Sequence, residues 1–344
     1  MYLIMLDYRH LNTMTDEEGI LQFSIQSIPS IASGYTLDDN ARALIVALHN
    51  PYGDKAATIY ANWLNKAFLS DGSWCNLIVD GVYSSHLNSE DSIGRGLIAC
   101  SLGANYENKT VSSICDKLFN KILPQSKKFT SPRGIAYALI ALSKYYNYKH
   151  NSQYEKLSIN LANKLISLYD KFSCYKWLWF ENNLTYCNGI LPNALFSYYE
   201  ITGDRKALKV GYNSLNFLND ILFSQGYLNI IGNSGWLVRG STPPLFDQQP
   251  VDAASIIFAN VEAYRAISEI EYLELATLAY QWYRGKNIHS LSLYNPTTGG
   301  CYDALTAEGV NLNQGAESTI SLLLADSLML EFIKKDESII EKTS

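Results

Sequence analysis

Residues 36–49 read TLDDNARALIVALH. From Ala41 to His49 this stretch carries apolar or small residues on every side of a helical wheel, with no wet face. A helix that is apolar all round is buried on all sides. It is introduced by a polar corner, Thr36-Leu37-Asp38-Asp39-Asn40, with Arg42 just inside. A buried helix opened by a polar corner is the unit from which the rest of the chain is read.

The unit recurs. Helices of the same buried type are expected over 93–103, 134–142, 191–199, 252–263 and 318–330, after a first one over 42–49. Between them lie amphipathic, charge-bearing segments at 54–68, 109–122, 154–169, 204–222 and 271–286, with a weaker candidate at 16–23. Each of these has one wet face. The order is outer, inner, repeated six times at a loose period of about 40–65 residues. Strand signals are few; residues 227–231 are the best candidate. Twelve helices that alternate between buried and half-exposed predict an all-α fold, an (α/α)6 barrel of six α-hairpins with the buried helices inside. An open α-solenoid is the competing architecture, but no repeat consensus lies on the helices themselves. With no Pro/Gly/Ser linker in the chain, one domain over 1–344 is expected.

In such a barrel the inner helices run parallel, so their N-terminal corners converge on one bowl. The second corner contains His86, Glu90 and Asp91, with Arg95 one turn in, and the third contains Arg133. The fourth contains Trp179, Glu181 and Asn188, the fifth Asp247, Gln248 and Gln249, and the sixth Asn313 and Glu317. Asp, Asn and Ser at helix starts are ordinary caps. Capping does not account for Arg42, Arg95 and Arg133, whose charge opposes the helix dipole. Arg42 and Arg95 also lie four residues after Asp38 and Asp91, within pairing reach.

The stretches TLDDNARALI (36–45), NSEDSIGRGL (88–97), SPRGIAYAL (131–139), WFENNLTYCNGILPNAL (179–195), FDQQPVDAA (246–254) and GVNLNQGAEST (309–319) resemble the six-hairpin glycosidase-like superfamily. More closely they resemble bacterial proteins of that fold found beside or fused to glycosyltransferases. The resemblance implies an (α/α)6 barrel acting on sugars, commonly by glycosidic-bond hydrolysis, and a glycosyltransferase neighbour as partner. A nucleotide-sugar transferase would need a doubly wound α/β domain with a G-x-G-x-x-G loop, and neither is present in the sequence.

Glycoside hydrolysis needs one carboxylic acid to protonate the leaving oxygen and a second carboxylate to activate water or attack carbon. The candidates are Asp38, Asp39, Glu90, Asp91, Glu181, Asp247 and Glu317, with Asp39 or Asp91 favoured against Glu317 or Asp247 across the bowl. Inversion is the outcome expected from the resemblance. Tyr35, Trp179, Trp236 and Tyr302 are candidate sugar platforms, each equally readable as packing. Arg42, Arg95, Arg133, Glu181, Asn188, Gln248, Gln249 and Asn313 are candidate hydroxyl-binding groups. A sugar epimerase would use histidines as acid and base, and His86 alone lies at a corner. A non-catalytic glycan-binding partner is the third reading; its signature is a bowl in which every carboxylate is already engaged.

Composition excludes some partners without choosing a ligand. Net charge is −6 and charged residues are only 17% of the chain, against a nucleic-acid surface. The basic pairs Lys127-Lys128 and Lys334-Lys335 are isolated. No apolar run approaches the ~18 residues of a membrane span, and residues 1–10 lack a signal-peptide pattern, so a cytoplasmic protein is expected. Six cysteines without C-x-x-C spacing predict reduced thiols, Cys100 and Cys115 being core residues. No metal or organic cofactor is expected.

Overall fold

The computed structural model describes residues 6–343, with side chains through 332. Among the described residues there are twelve α-helices: α1 (Arg9–Met14), α2 (Leu37–His49), α3 (Asp54–Ala67), α4 (Glu90–Gly103), α5 (Lys109–Ile122), α6 (Pro132–Tyr146), α7 (Ser152–Phe172), α8 (Ile190–Thr202), α9 (Arg205–Leu222), α10 (Pro250–Ile267), α11 (Ile270–Trp282) and α12 (Ala316–Thr343). The even-numbered helices pack in sequence, and α12 returns against α2 to close the ring. The odd-numbered helices wrap them. None of the described helices is long and apolar enough to cross a membrane.

Local chemistry sets each element. Thr36 caps α2 through the Asp39 N–H, and Ser89 and Ser92 form a capping box on α4. Pro132 and Pro250 open α6 and α10, where a missing N–H costs nothing. Outer helix α5 buries Val111, Cys115, Leu118, Phe119 and Ile122, a single stripe at helical spacing. Cys100 and Cys115 are both fully buried thiols. Inner helices approach closely where a side chain is missing: a Cβ on Gly94 of α4 would come within 2.5 Å of the Tyr137 Cβ on α6.

Short strands occupy the corners. β1 (Ser24–Ile25) and β2 (Ile28–Pro29) form a hairpin. β3 (Tyr35–Thr36), β4 (Leu77–Val79) and β5 (Val82–Ser84) form a three-stranded sheet. β6 (Asn183–Leu184) pairs with β7 (Leu237–Val238), and β8 (Ala304–Thr306) with β9 (Gly309–Asn311).

Two expected elements differ. Residues 16–23 form no helix. Asp16 accepts the Glu18 and Gly19 N–H groups to make a turn, and buried Ile20 and Leu21 bridge to Thr15 and Tyr35 as extended chain. The first outer helix is α1 instead. Residues 227–231 form no strand: Leu228, Ile230 and Ile231 are buried, but the backbone N–H groups of Asn229 and Gly232 bond to Leu222 and Pro244 rather than to a ladder.

Candidate active site

The N-terminal ends of α2, α4, α10 and α12, together with Asn76, Leu87 and the hairpin β8–β9, enclose a polar cavity of about 520 Å³. Among the described residues, five carboxylates line it: Asp38, Asp39, Asp247, Asp303 and Glu317. Their surroundings differ, and that difference decides what each can do.

Asp38 accepts from the Arg95 guanidinium at 2.8 Å and from Asn76 Nδ2 at 3.1 Å. Burial pushes its pKa up, but Arg95 and Arg42 outweigh burial and hold it below the usual carboxylate range. Asp39 is fully enclosed. It accepts from Arg42 at 2.9 Å and Thr36 Oγ1 at 2.7 Å. Burial dominates there, and with Glu317 and Asp38 nearby it overcomes Arg42, lifting Asp39 to about 6. The other arm of Arg42 donates to Glu317 at 2.8 Å. The Glu317 side chain remains 42% exposed, open to the bowl.

Asp247 is partly exposed and, alone among the five, takes no hydrogen bond or ion pair on its side chain from the described residues. Gln249 lines the same wall. Asn40, beside the acid pair, turns away: its Oδ1 accepts from the Ile20 N–H and its Nδ2 donates to the Thr36 carbonyl. No group of three His, Cys, Asp or Glu side chains among the described residues is arranged to hold a metal ion.

Several expected site residues serve the walls instead. Glu90 accepts the Thr130 and Ser131 N–H groups at 2.7 and 2.6 Å. Asp91 accepts from Ser131 Oγ at 2.9 Å and the Tyr186 hydroxyl at 2.8 Å. Both fasten the second corner to the third and fourth, and neither lines the bowl. Arg133 is spent on Glu181 at 2.8 Å, Asn188 Oδ1 at 3.0 Å and the Tyr186 carbonyl at 2.6 Å. Arg133, Glu181 and Asn188 therefore form a wall cluster.

Gln248 is fully buried. Its amide donates to Asn229 Oδ1 and the Leu245 carbonyl and accepts from Trp282, so it has nothing left for a ligand. Trp179 is fully buried in the core, which removes it as a sugar platform. Tyr35 donates to Asp16, Asn313 accepts the Gln26 N–H, and Trp236 packs 6.0 Å from the Tyr186 ring. Tyr302 is half-buried and outside the cavity lining. His86 is exposed beyond β5 and hydrogen-bonds Ser84; among the described residues no histidine lines the bowl.

No protein-family model and no curated protein matches this sequence. Solved structures do match. A sugar epimerase from a ruminal bacterium superposes with a TM-score of 0.73 at 11% identity, covering 95% of this chain and 97% of that one. The shared fold is the (α/α)6 barrel. A cellobiose 2-epimerase from Bacillus thermoamylovorans B4167 gives 0.70 at 10% identity, covering 92% and 94% of the two chains. A family 76 glycoside hydrolase from a bovine Bacteroides thetaiotaomicron strain gives 0.69 at 9%, covering 94% and 76%.

Within this six-hairpin barrel, sequence reasoning missed two carboxylates. Asp303 faces the bowl from just before β8, accepting the Gly315 N–H at 2.7 Å and the Ser318 hydroxyl at 2.7 Å. Burial raises its pKa against those two bonds. Asp252 lies in the first turn of α10, where it reads as a routine acidic cap. It accepts the Cys187 N–H, and burial pushes it up to about 7. Its signal was present in the FDQQPVDAA stretch. Asp303 had none, because hairpin β8–β9 was not foreseen.

Proposed function

We infer that the bowl hydrolyses a glycosidic bond in a short oligosaccharide, with Asp39 as proton donor and Asp247 as the carboxylate that activates water. The observation that carries this reading is the contrast between the two. Asp39 is pushed up to about 6 by burial, so a fraction is protonated near neutral pH. Asp247 faces the same cavity with its carboxylate unengaged among the described residues. Carboxylates whose environments set them apart in this way are how one site supplies both acid and base.

Arg42 then has a positioning role, tying Asp39 to Glu317. Glu317 and Gln249 offer hydroxyl acceptors and donors along the wall. Asp39 gives its proton to the leaving oxygen while Asp247 takes one from the attacking water, which inverts the anomeric carbon.

Likeness in fold extends to both hydrolases and epimerases, so the reaction class rests on the bowl's own groups. Those are carboxylates, and His86 points into solvent beside Ser84. That arrangement favours hydrolysis over histidine-based epimerisation. The free Asp247 favours catalysis over passive glycan binding.

The test is a product assay on short α- and β-linked manno-, gluco- and galacto-oligosaccharides, with the anomer followed by NMR. Asp39→Asn and Asp247→Asn are expected each to lose sugar release by at least about 10²-fold. Interconversion of a free sugar without cleavage would replace this reading with an epimerase. Silence with retained ligand binding would replace it with a glycan-binding protein.

A further inference from the structure

Hairpin β1–β2 has its faces reversed. An antiparallel pair with one solvated side ordinarily turns apolar residues in and polar residues out. Here Ser24 is buried, its hydroxyl donating to the Gln26 carbonyl at 2.7 Å and accepting the Gln314 N–H at 2.9 Å. Ile25 and Ile28, which pair across the two strands, are 72% and 71% exposed. Phe23 stands two residues before Ile25, hence on the same face, and is 56% exposed. Ile31 follows the hairpin, equally exposed.

The hairpin is fastened to the sixth corner. Its Gln26 N–H donates to Asn313 Oδ1 at 2.8 Å, and the Gln22 carbonyl accepts the Ala316 N–H at 3.0 Å. Residues 20–37 contain no Asp, Glu, Lys, Arg or His. An exposed apolar hairpin without a charge to protect it is a liability that proteins ordinarily remove, unless the surface has an occupant.

This face begins inside the candidate active site. Gln22 and Phe23 line the bowl, and so does Leu87, which is itself exposed. Past Phe23 the wall therefore changes from carboxylates to aliphatic side chains. Sugar units laid along it would press their hydroxyls against isoleucines that can neither donate nor accept. An apolar group attached to the sugar would instead be taken out of water there.

We propose that the outward face of β1–β2 binds an apolar aglycone carried by the glycan in the bowl, so that the substrate is an amphiphilic glycoside. The inference rests on the reading of the bowl as a sugar site. Phe23 touches both compartments and joins them. A bilayer-binding face would set lysines or arginines beside its apolar groups, and residues 20–37 have none. A protein seated on Phe23 would sit across the mouth of the bowl and shut out its substrate.

The experiment is calorimetric titration with methyl and octyl glycosides of glucose, mannose and galactose in both anomers, below their micelle-forming concentrations, with octan-1-ol as the sugar-free control. It is run on the native chain and on Asp247→Asn, which prevents turnover of the probe. Each methylene removed from water is worth about fourfold. Octyl glycosides are therefore expected to bind at least about tenfold tighter than the methyl glycoside of the same sugar, and tighter than octan-1-ol. The double variant Ile25→Ser, Ile28→Ser changes two exposed side chains and is expected to bring octyl affinity down to the methyl level while methyl affinity stays within about twofold.

Equal affinity for methyl and octyl glycosides overturns the proposal and leaves the sugar site standing. Octyl affinity that survives the double variant also overturns it, as does octan-1-ol binding as tightly as the octyl glycosides, because the bowl would then have no part in the capture. A native chain that sediments as a dimer and a double variant that sediments as a monomer would give the face to a second copy instead. No binding of any glycoside removes the sugar site and this inference together. Octyl preference without cleavage of any oligosaccharide removes hydrolysis and leaves the inference in place.

Discussion

Arg42 on α2 donates to Glu317 on α12 across 275 residues of sequence at 2.8 Å, and its other arm holds Asp39 at 2.9 Å. The first and last inner helices are thus joined at the floor of the bowl by one guanidinium. The same residue also lines a second, more apolar cavity bordered by the inner helices. Ring closure and site assembly share this contact.

Removing that guanidinium leaves Asp39 buried without its cation. Arg42→Met is expected to cost about 3–5 kcal/mol, the range for breaking one partner out of a buried pair. The loss comes mainly from Asp39, because Glu317 is open enough for water to replace the arginine. Urea unfolding at neutral pH measures it. A loss under about 1 kcal/mol would mean that Asp39 is content as a neutral acid without Arg42.

The raised carboxyls predict an unusual pH dependence. Asp252 stands at about 7 in the folded chain against about 3.9 unfolded. Between those values the folded state holds a proton that the unfolded state has released. Its contribution is therefore fully present below the unfolded pKa and is lost as pH rises through about 7. Asp39, at about 6, acts in the same direction, while Asp38, held low by Arg95 and Arg42, acts oppositely and only in acid. Stability should fall from pH 5 to pH 7, and Asp252→Asn should flatten that slope by up to about 1.4 kcal/mol per pH unit. Parallel slopes for the native and variant chains across pH 5–7 would remove the titration from Asp252.

The fold was legible because the buried helices announce themselves. Residues 42–49 and 134–142 have no polar face, and α5 carries a single stripe, so inner and outer positions separate on burial alone. The corners were legible as a place but not as a list of roles. Asp38 and Glu90 each open an inner helix, yet Asp38 faces the bowl and Glu90 ties down the Thr130–Ser131 backbone. Which way a cap points depends on the partner element, and for Glu90 that partner lies 40 residues on. Gln248 looks like a ligand group in sequence because an amide does not declare whether its polar atoms are already satisfied, and Trp179 does because an aromatic does not declare whether it is buried. Residues 16–23 failed as a helix because a short amphipathic pattern also fits a turn held by Asp16.

Close packing of α4 on α6 gives a prediction independent of the site. Ala at Gly94 would set its Cβ 2.5 Å from the Tyr137 Cβ, well inside contact. The neighbour is the stem of a buried tyrosine on a helix, which cannot swing aside. Gly94→Ala should destabilise by about 1–3 kcal/mol through overpacking, although alanine has the better helix propensity. An unchanged or higher urea midpoint would show that the two helices can separate without cost.

Glu90 and Asp247 should behave as mirror images. Glu90→Ala strips two backbone N–H groups, those of Thr130 and Ser131, of their acceptor. That should cost about 1–3 kcal/mol of stability while turnover of any cleaved oligosaccharide stays within about twofold, because Glu90 lies outside the bowl lining. Asp247→Asn removes no bond from the fold, so its stability should stay within about 0.5 kcal/mol, while turnover falls by at least about 10²-fold. Measuring both quantities on both variants separates a wall residue from a working one. A fall in turnover at Glu90 equal to that at Asp247, with stability intact, would put the second corner back among the catalytic groups.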